Sequence, residues 1–159
     1  MSDDEISPTQ LALLAARVSQ PDLHGLPEWM AANLLNVPDV SLPKVKQKVA
    51  TGVAQQLLLT TGEWAKAVVA AGNEALPEET RAAAILMRDT IRQSSHIEAD
   101  DPEAYEAVGL VLTKMVQVGL LSAATKDRLL ALADRHPSWA EANGVTVTAR
   151  TVGLARGGV

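Results

Sequence analysis

The sequence predicts an all-α protein: a bundle of about seven to eight short helices, with an extended Pro/Lys segment near 37–49 and an extended C-terminal tail. Three observations carry this. Much of the 47% hydrophobic content is Ala, Leu and Val, and Phe is absent; Ala and Leu are strong helix formers. Apolar residues recur at helical spacing in one segment after another. Between them stand Ser, Thr or Asp with Pro, which are helix starts, and Gly or Asn, which are stops.

The central stretch Leu57-Leu58-Leu59-Thr60-Thr61-Gly62-Glu63-Trp64 looks like one apolar helix, a tight break and a second helix. Thr60 with Glu63 three places on has the capping-box spacing, and Trp64 falls in the new helix's first turn as a wedge.

Taken in order, residues 1–6 form an acidic tail. Ser7-Pro8 opens a helix to about Ser19, with Leu11, Leu14 and Val18 on one face, and residues 20–25 turn the chain. Pro27 opens a short helix containing Trp29, Met30 and Leu34 that ends at Asn36. Between Pro38 and Val49, the alternation Lys44-Val45-Lys46-Gln47-Lys48-Val49 predicts an extended edge or linker with its lysines in water. Thr51 caps a helix through Leu59, and the helix after the junction stops near Gly72-Asn73. Pro77-Glu78-Glu79 starts the next, with Ala82, Ile85, Leu86 and Ile91 on its apolar face and acids at its positive end. Residues 94–101 form a polar loop.

Asp101-Pro102-Glu103 starts what should be the longest helix, to Val118, striped by Val108, Val111, Leu112, Met115 and Val118, with Gly119 as its stop. Ser122 caps a helix that turns Leu129, Leu130, Leu132 and Ala133 inward. Trp139 opens another, stopped by Asn143-Gly144; Val145–Val147 is extended, and Thr148–Ala155 is a last short helix or a strand. The expected division is an N-terminal helical arm over 1–43, a main helical domain over 44–147 and a short helix or tail over 148–159. The Glu-Trp pair at 28–29 and again at 63–64 is too slight an echo to make a helical repeat.

Composition narrows the function classes. With no Cys there is no disulfide, thiolate nucleophile or metal–thiolate site. Asp3-Asp4-Glu5 has the wrong sign for a signal peptide. Residues 104–121 come nearest to a membrane span, but Glu106, Thr113, Lys114 and Gln117 interrupt them. The net charge of −5 lies wholly in residues 1–80, with 5 Lys+Arg against 10 Asp+Glu, while residues 81–159 carry 9 of each. That balance is poorly suited to neutralising phosphates.

No chemical motif emerges. His24, His96 and His136 never pair at helical spacing. The acids Glu98, Asp100, Asp101 and Glu103 lack the central Gly and distal Glu of a calcium loop. The glycines near 153–158 follow no buried strand and open no helix, so they are no phosphate cradle. No catalytic residue, metal or cofactor is expected. The candidate partner-binding residues are Trp29, Lys44, Lys46, Lys48, Arg150 and Arg156. The five cations would form one patch if their segments meet. Trp29, Trp64 and Trp139 are expected as core wedges, and one left exposed would mark a partner surface.

The Leu-Leu-Thr-Thr-Gly-Glu-Trp junction, the ending Trp139-Ala140-Glu141-Ala142-Asn143-Gly144 and the run Val152-Gly153-Leu154-Ala155-Arg156-Gly157 resemble a loose group of short helical proteins encoded by tailed bacteriophages and prophages. The likeness runs diffusely over about residues 21–158. It implies a non-enzymatic structural or accessory component of the phage particle, in the tail or connector region. Such a component would be present in multiple copies, bound to other virion proteins, and in the host cytoplasm during assembly. Neither a membrane nor a nucleic acid is an expected partner. The alternative is a small helix–turn–helix DNA-binding regulator built on residues 52–72. Against it, the second helix offers only Lys66 for base edges.

Overall fold

Side-chain caps set most of the helix starts. The computed structural model describes residues 6–157, so the acidic residues 1–5 and the last two positions lie outside the described chain. Ser7 stands before α1 (Pro8–Val18). Its hydroxyl accepts from the Gln10 amide, while the Gln10 side chain accepts from the Ser7 amide. This reciprocal box satisfies amides that have no partner within the helix. α2 (Glu28–Asn36) follows Pro27. Four two-residue strands are described: β1 (Val45–Lys46), β2 (Val49–Ala50), β3 (His96–Ile97) and β4 (Asp134–Arg135). The remaining helices are α3 (Thr51–Thr60), α4 (Glu63–Ala71), α5 (Glu78–Gln93), α6 (Pro102–Gln117), α7 (Ala123–Ala131), α8 (Trp139–Ala142) and α9 (Ala149–Ala155). The protein is thus mostly helical. Asp101, Ser122, Ser138 and Thr148 each cap the helix they precede with a side-chain oxygen.

The chain divides into two units, and the division differs from the expected one. One unit runs from Val45 to Arg135; the other joins the chain before it to the chain after it. The expected C-terminal tail is therefore part of a core. Val145, Val147 and Val152 are buried with Leu14, Val18, Leu23 and Leu35. α9 packs on both α1 and α2. The Gln10 amide group donates to Gly144 O at 2.6 Å, and the Asn36 side chain donates to Val147 O at 2.8 Å. Residues 145–147 look structureless locally because their burial is supplied by residues more than 100 positions away.

In the Val45–Arg135 unit, β1 pairs antiparallel with β4, Val45 opposite Arg135 and Lys46 opposite Asp134. The entering and leaving chains thus run side by side. β2 pairs with β3, Val49 opposite Ile97. The alternating Lys segment is extended, but it is split into two strands with different partners. The polar loop over 94–101 holds one of those partners, and the other follows α7.

The main core lies where α4 meets α5. Ala67, Ala70 and Ala71 of α4 face Ala83, Ala84 and Met87 of α5, with Trp64 and Leu58 at one side. Side chains this small let two helices approach closely. The buried face of α5 is therefore only partly the expected one, since Ile85 and Ile91 pack against this core but Ala82 and Leu86 do not. Ala82 and Leu86 are exposed, and Ile85 and Ile91 are only half-buried. The stripe Ala83, Ala84 and Met87 sets the rotation, and Leu86 turns elsewhere. α6 is no longer than α5, and of its apolar stripe only Met115 is fully buried.

The central junction also corrects the expectation. Thr60 is the last residue of α3, and its hydroxyl donates to Gln56 O at 2.7 Å. Gly62 precedes α4 in the left-handed region, with φ of 77°, which glycine adopts without strain. Glu63 does not close a box. Its carboxylate accepts from the Ser122 amide at 2.6 Å and from the Thr61 hydroxyl at 2.7 Å, bracing the start of α7 against the start of α4. Thr51 is likewise not a cap. Ala50 holds that position, and the buried Thr51 hydroxyl donates to Ser94 O at 2.6 Å, fixing the turn into β3.

Partial burial alone would raise the Glu63 carboxyl. The bonds from Thr125, the Ser122 amide, Thr61 and the Ser122 hydroxyl outweigh it and hold the group below the ordinary Glu value. The stabilisation is then complete above the unfolded value of about 4.3 and is lost as pH falls through the lower folded value. Glu63→Gln should remove that part of the acid limb from the denaturation midpoint measured against pH, and should destabilise at neutral pH by about 1–3 kcal/mol. Deleting residues 145–159 should abolish slow amide exchange in α1 and α2 while exchange in α4 and α5 stays slow. Leu14→Ala should act in the same unit and cost about 2–5 kcal/mol.

Candidate functional site

The outer face of α2 is apolar where a solvated helix carries charge. Its inner face buries Ala31, Ala32 and Leu35. At 100° per residue, Trp29, Met30, Asn33, Leu34 and Val37 fall on the opposite side, and none of them is charged. Trp29 is 57% exposed, Leu34 49% and Val37 51%, and Val40 just beyond them is 81% exposed. A helix that is apolar all round is ordinarily buried all round. Of the three tryptophans, Trp64 is buried at 8% and Trp139 is half-buried, both in cores, so Trp29 alone stands out.

The candidate cations have varied duties. Lys46 Nζ lies 2.6 Å from Asp134 and 4.0 Å above the centre of the Tyr105 ring. Asp134 first, and then Tyr105, hold its ammonium above its ordinary value. Lys48 pairs with Glu98 at 2.5 Å, across the β2–β3 pairing. Arg156 donates to Leu26 O at 2.6 Å and Leu23 O at 2.8 Å, clamping the end of α9 to the turn after α1. Lys44 and Arg150 are exposed. Lys46, Lys48 and Arg156 thus have intramolecular work, and the grouping of five is not needed to explain them.

The histidines are equally local. His24 and His96 are exposed, and His136 places Nδ1 3.0 Å from Leu42 O. Among the described residues no cluster of three or more His, Asp or Glu could hold a metal ion, and no helix is long and apolar enough to cross a membrane. The α3–α4 pair turns one face of α4 into the core through Trp64, Ala67 and Ala70, leaving Ala65, Lys66 and Val69 outside. That surface carries one cation and nothing to read base edges.

A second feature was not expected. Between α5 and α6 lies an apolar cleft of about 220 Å³. α5 contributes Leu86, Met87, Thr90 and Ile91, and α6 contributes Tyr105, Val108, Val111, Leu112 and Met115. Ala54 and Leu58 of α3, with Leu129 of α7, form the back. Among the lining residues only Thr90 and Tyr105 carry polar side-chain atoms. Lys114 and Glu79 pair across the far end of the two helices. Leu86, Thr90 and Ala107, which are both lining and exposed, mark the mouth. Part of the half-buried stripe of α6 is explained: Val108, Val111 and Leu112 line the cleft, and Val111, Leu112 and Val118 also pack against the main core.

The apolar stripe of α6 was legible in the sequence, but its shortage of partners was not. The uncharged, mostly apolar character of α2 was legible too, in Trp29-Met30-Ala31-Ala32-Asn33-Leu34-Leu35. The exposure of Leu34, Val37 and Val40 was not foreseen, because alternating inner and outer apolar positions read as one core stripe. No protein-family model, curated protein or solved structure matches the chain.

Arg156→Ala should destabilise the α1–α2–α9 unit by about 1–3 kcal/mol, through loss of two charge-assisted hydrogen bonds. Thermal melting would register this in the isolated chain, with no partner present.

Proposed function

We propose that the protein is a non-enzymatic structural or accessory component that works by protein–protein contact, in a tailed-phage particle as its sequence resemblance suggests. One observation carries the contact reading: the uncharged outer face of α2, with Trp29, Leu34 and Val37 half or more exposed and Val40 following. Exposed aromatic and aliphatic side chains at and just beyond one helix are what a binding anchor requires. Tryptophan is the residue most enriched among such anchors. The partner is another protein of the same particle, presenting an apolar recess for the indole. Multiple copies would each use this one patch on a symmetric neighbour. The charge balance favours protein over nucleic acid as that partner.

The test is native mass measurement of the chain with the other virion proteins of its own genome. Trp29→Ala should weaken the complex by about 2 kcal/mol or more, roughly thirtyfold, while far-ultraviolet circular dichroism and melting stay close to the parent's. A complex that survives Trp29→Ala together with Leu34→Ala places the contact elsewhere. Salt-dependent DNA binding by the unaltered chain, with no protein complex, favours the regulator instead.

A further inference from the structure

From the cleft between α5 and α6 we infer a second binding site in this protein, one that takes a hydrocarbon chain. The site lies within the Val45–Arg135 unit and is independent of the α2 surface. Four features of the cleft argue for an occupant. Its volume is about 220 Å³, more than the roughly 150 Å³ that suffices for an apolar cavity to take up benzene. Its lining offers water only Thr90 and Tyr105, and a stable buried water needs several polar partners. The space therefore suits hydrocarbon better than solvent. It has an entrance: Leu86, Thr90 and Ala107 are exposed at the mouth, while Leu58 and Met115 are buried at the back. One wall is fixed by packing: Ala83, Ala84 and Met87 of α5 sit in the main core with Ala67, Ala70 and Ala71 of α4.

The chemistry of the lining selects the ligand class. Scaling from the six carbons of benzene, the cleft accommodates about nine heavy atoms. No carboxylate, ammonium or guanidinium is among the lining residues, so a charged group has no counterpart inside. The ligand is thus an unbranched alkyl or acyl chain of medium length, tail inward, with any polar head left at the mouth beside Thr90. Met87 and Met115 line the cleft with unbranched, polarisable side chains that adapt to a flexible chain.

The experiment uses the full-length chain and 1-octanol as the probe. Titration should shift the Met87 and Met115 methyl resonances together and saturably, with intermolecular nuclear Overhauser contacts from the octanol methylenes to both. The melting temperature should rise with octanol concentration, as binding to the folded state alone requires. Val108→Trp, which places an indole in the space, should weaken octanol binding about tenfold or more. Trp29→Ala should leave it unchanged, so failure of the octanol site and failure of the α2 contact are read separately. Should Val108→Trp not fold, the nuclear Overhauser contacts in the unaltered chain decide. Octanol that touches neither methionine methyl, or that binds Val108→Trp as tightly as the parent, overturns the site.

Discussion

The close approach of α4 and α5 over alanine governs the Val45–Arg135 unit. Ala67, Ala70 and Ala71 meet Ala83 and Ala84, and none of these side chains can hold the helices apart. Close packing of backbones is gained, and the contact fixes the rotation of α5. Once 83, 84 and 87 face α4, Leu86 and Thr90 turn toward the next helix or solvent, while Ile91, four residues after Met87, continues the packed face. α6 must then seat against a surface whose bulk has been turned partly aside. With no Phe in the chain and Trp64 already committed to the α3–α4 corner, little remains that is large enough to fill the gap. The cleft is the consequence of an alanine-rich interface. A sealed void of that volume would forfeit roughly 5 kcal/mol, a large share of the 5–15 kcal/mol that ordinarily holds a domain together.

The helix starts were legible because their signals are local. Ser7-Pro8, Asp101-Pro102 and Ser122 act within three residues of themselves, and the structure caps helices at each. The helix faces were legible only where large apolar residues set them. On α5 the sequence favours Ile85, Leu86 and Ile91, yet alanine sets the buried side. Periodicity weighs residues by hydrophobicity, whereas packing against α4 rewards smallness. The junction misled for a related reason. Thr60 and Glu63 have the spacing of a box, but Gly62 ends one helix and begins another, so Glu63 answers a helix 59 residues away. Nothing local announces that partner. The alternating lysines marked the extended chain of β1 and β2, but the partners β3 and β4 carry no such pattern, since each is defined by the chain opposite it.

The same distinction explains the unit boundaries. Lys44-Val45 reads as a seam because prolines and alternating lysines precede the first regular helix of the body. The return near Arg135-His136 carries no such punctuation until Pro137. Yet β4 closes on β1 there, and everything after it belongs with α1 and α2. A discontinuous unit of this kind has a high sequence separation between its contacts, so its ordering must wait for loop closure across the whole intervening body. Pairing Val45 with Arg135 shortens that closure, because a folded Val45–Arg135 unit already brings its two ends together. The short β1–β4 pairing, strengthened by Lys46 between Asp134 and Tyr105, thereby acts beyond its two rungs.

What can be bound follows from where charge is spent. Lys46, Lys48, Lys114 and Arg17 each have an acidic partner, and Arg156 is spent on backbone carbonyls. These ion pairs lie at the surface, and the contacts named here serve turns and helix ends. The outward features are apolar: the α2 face with Trp29 at one place, the α5–α6 cleft at another. They differ in kind. The α2 face presents an exposed indole that can insert into something else; the cleft is concave and lined in part by Met87 and Met115, able to receive. An inserted anchor derives specificity from the shape of the recess it enters, so it suits one protein partner. A concave apolar space with two polar atoms at most discriminates by length and volume rather than by hydrogen bonding, and an added methylene changes affinity only modestly. The two features therefore call for different ligands, and neither requires the other to be occupied.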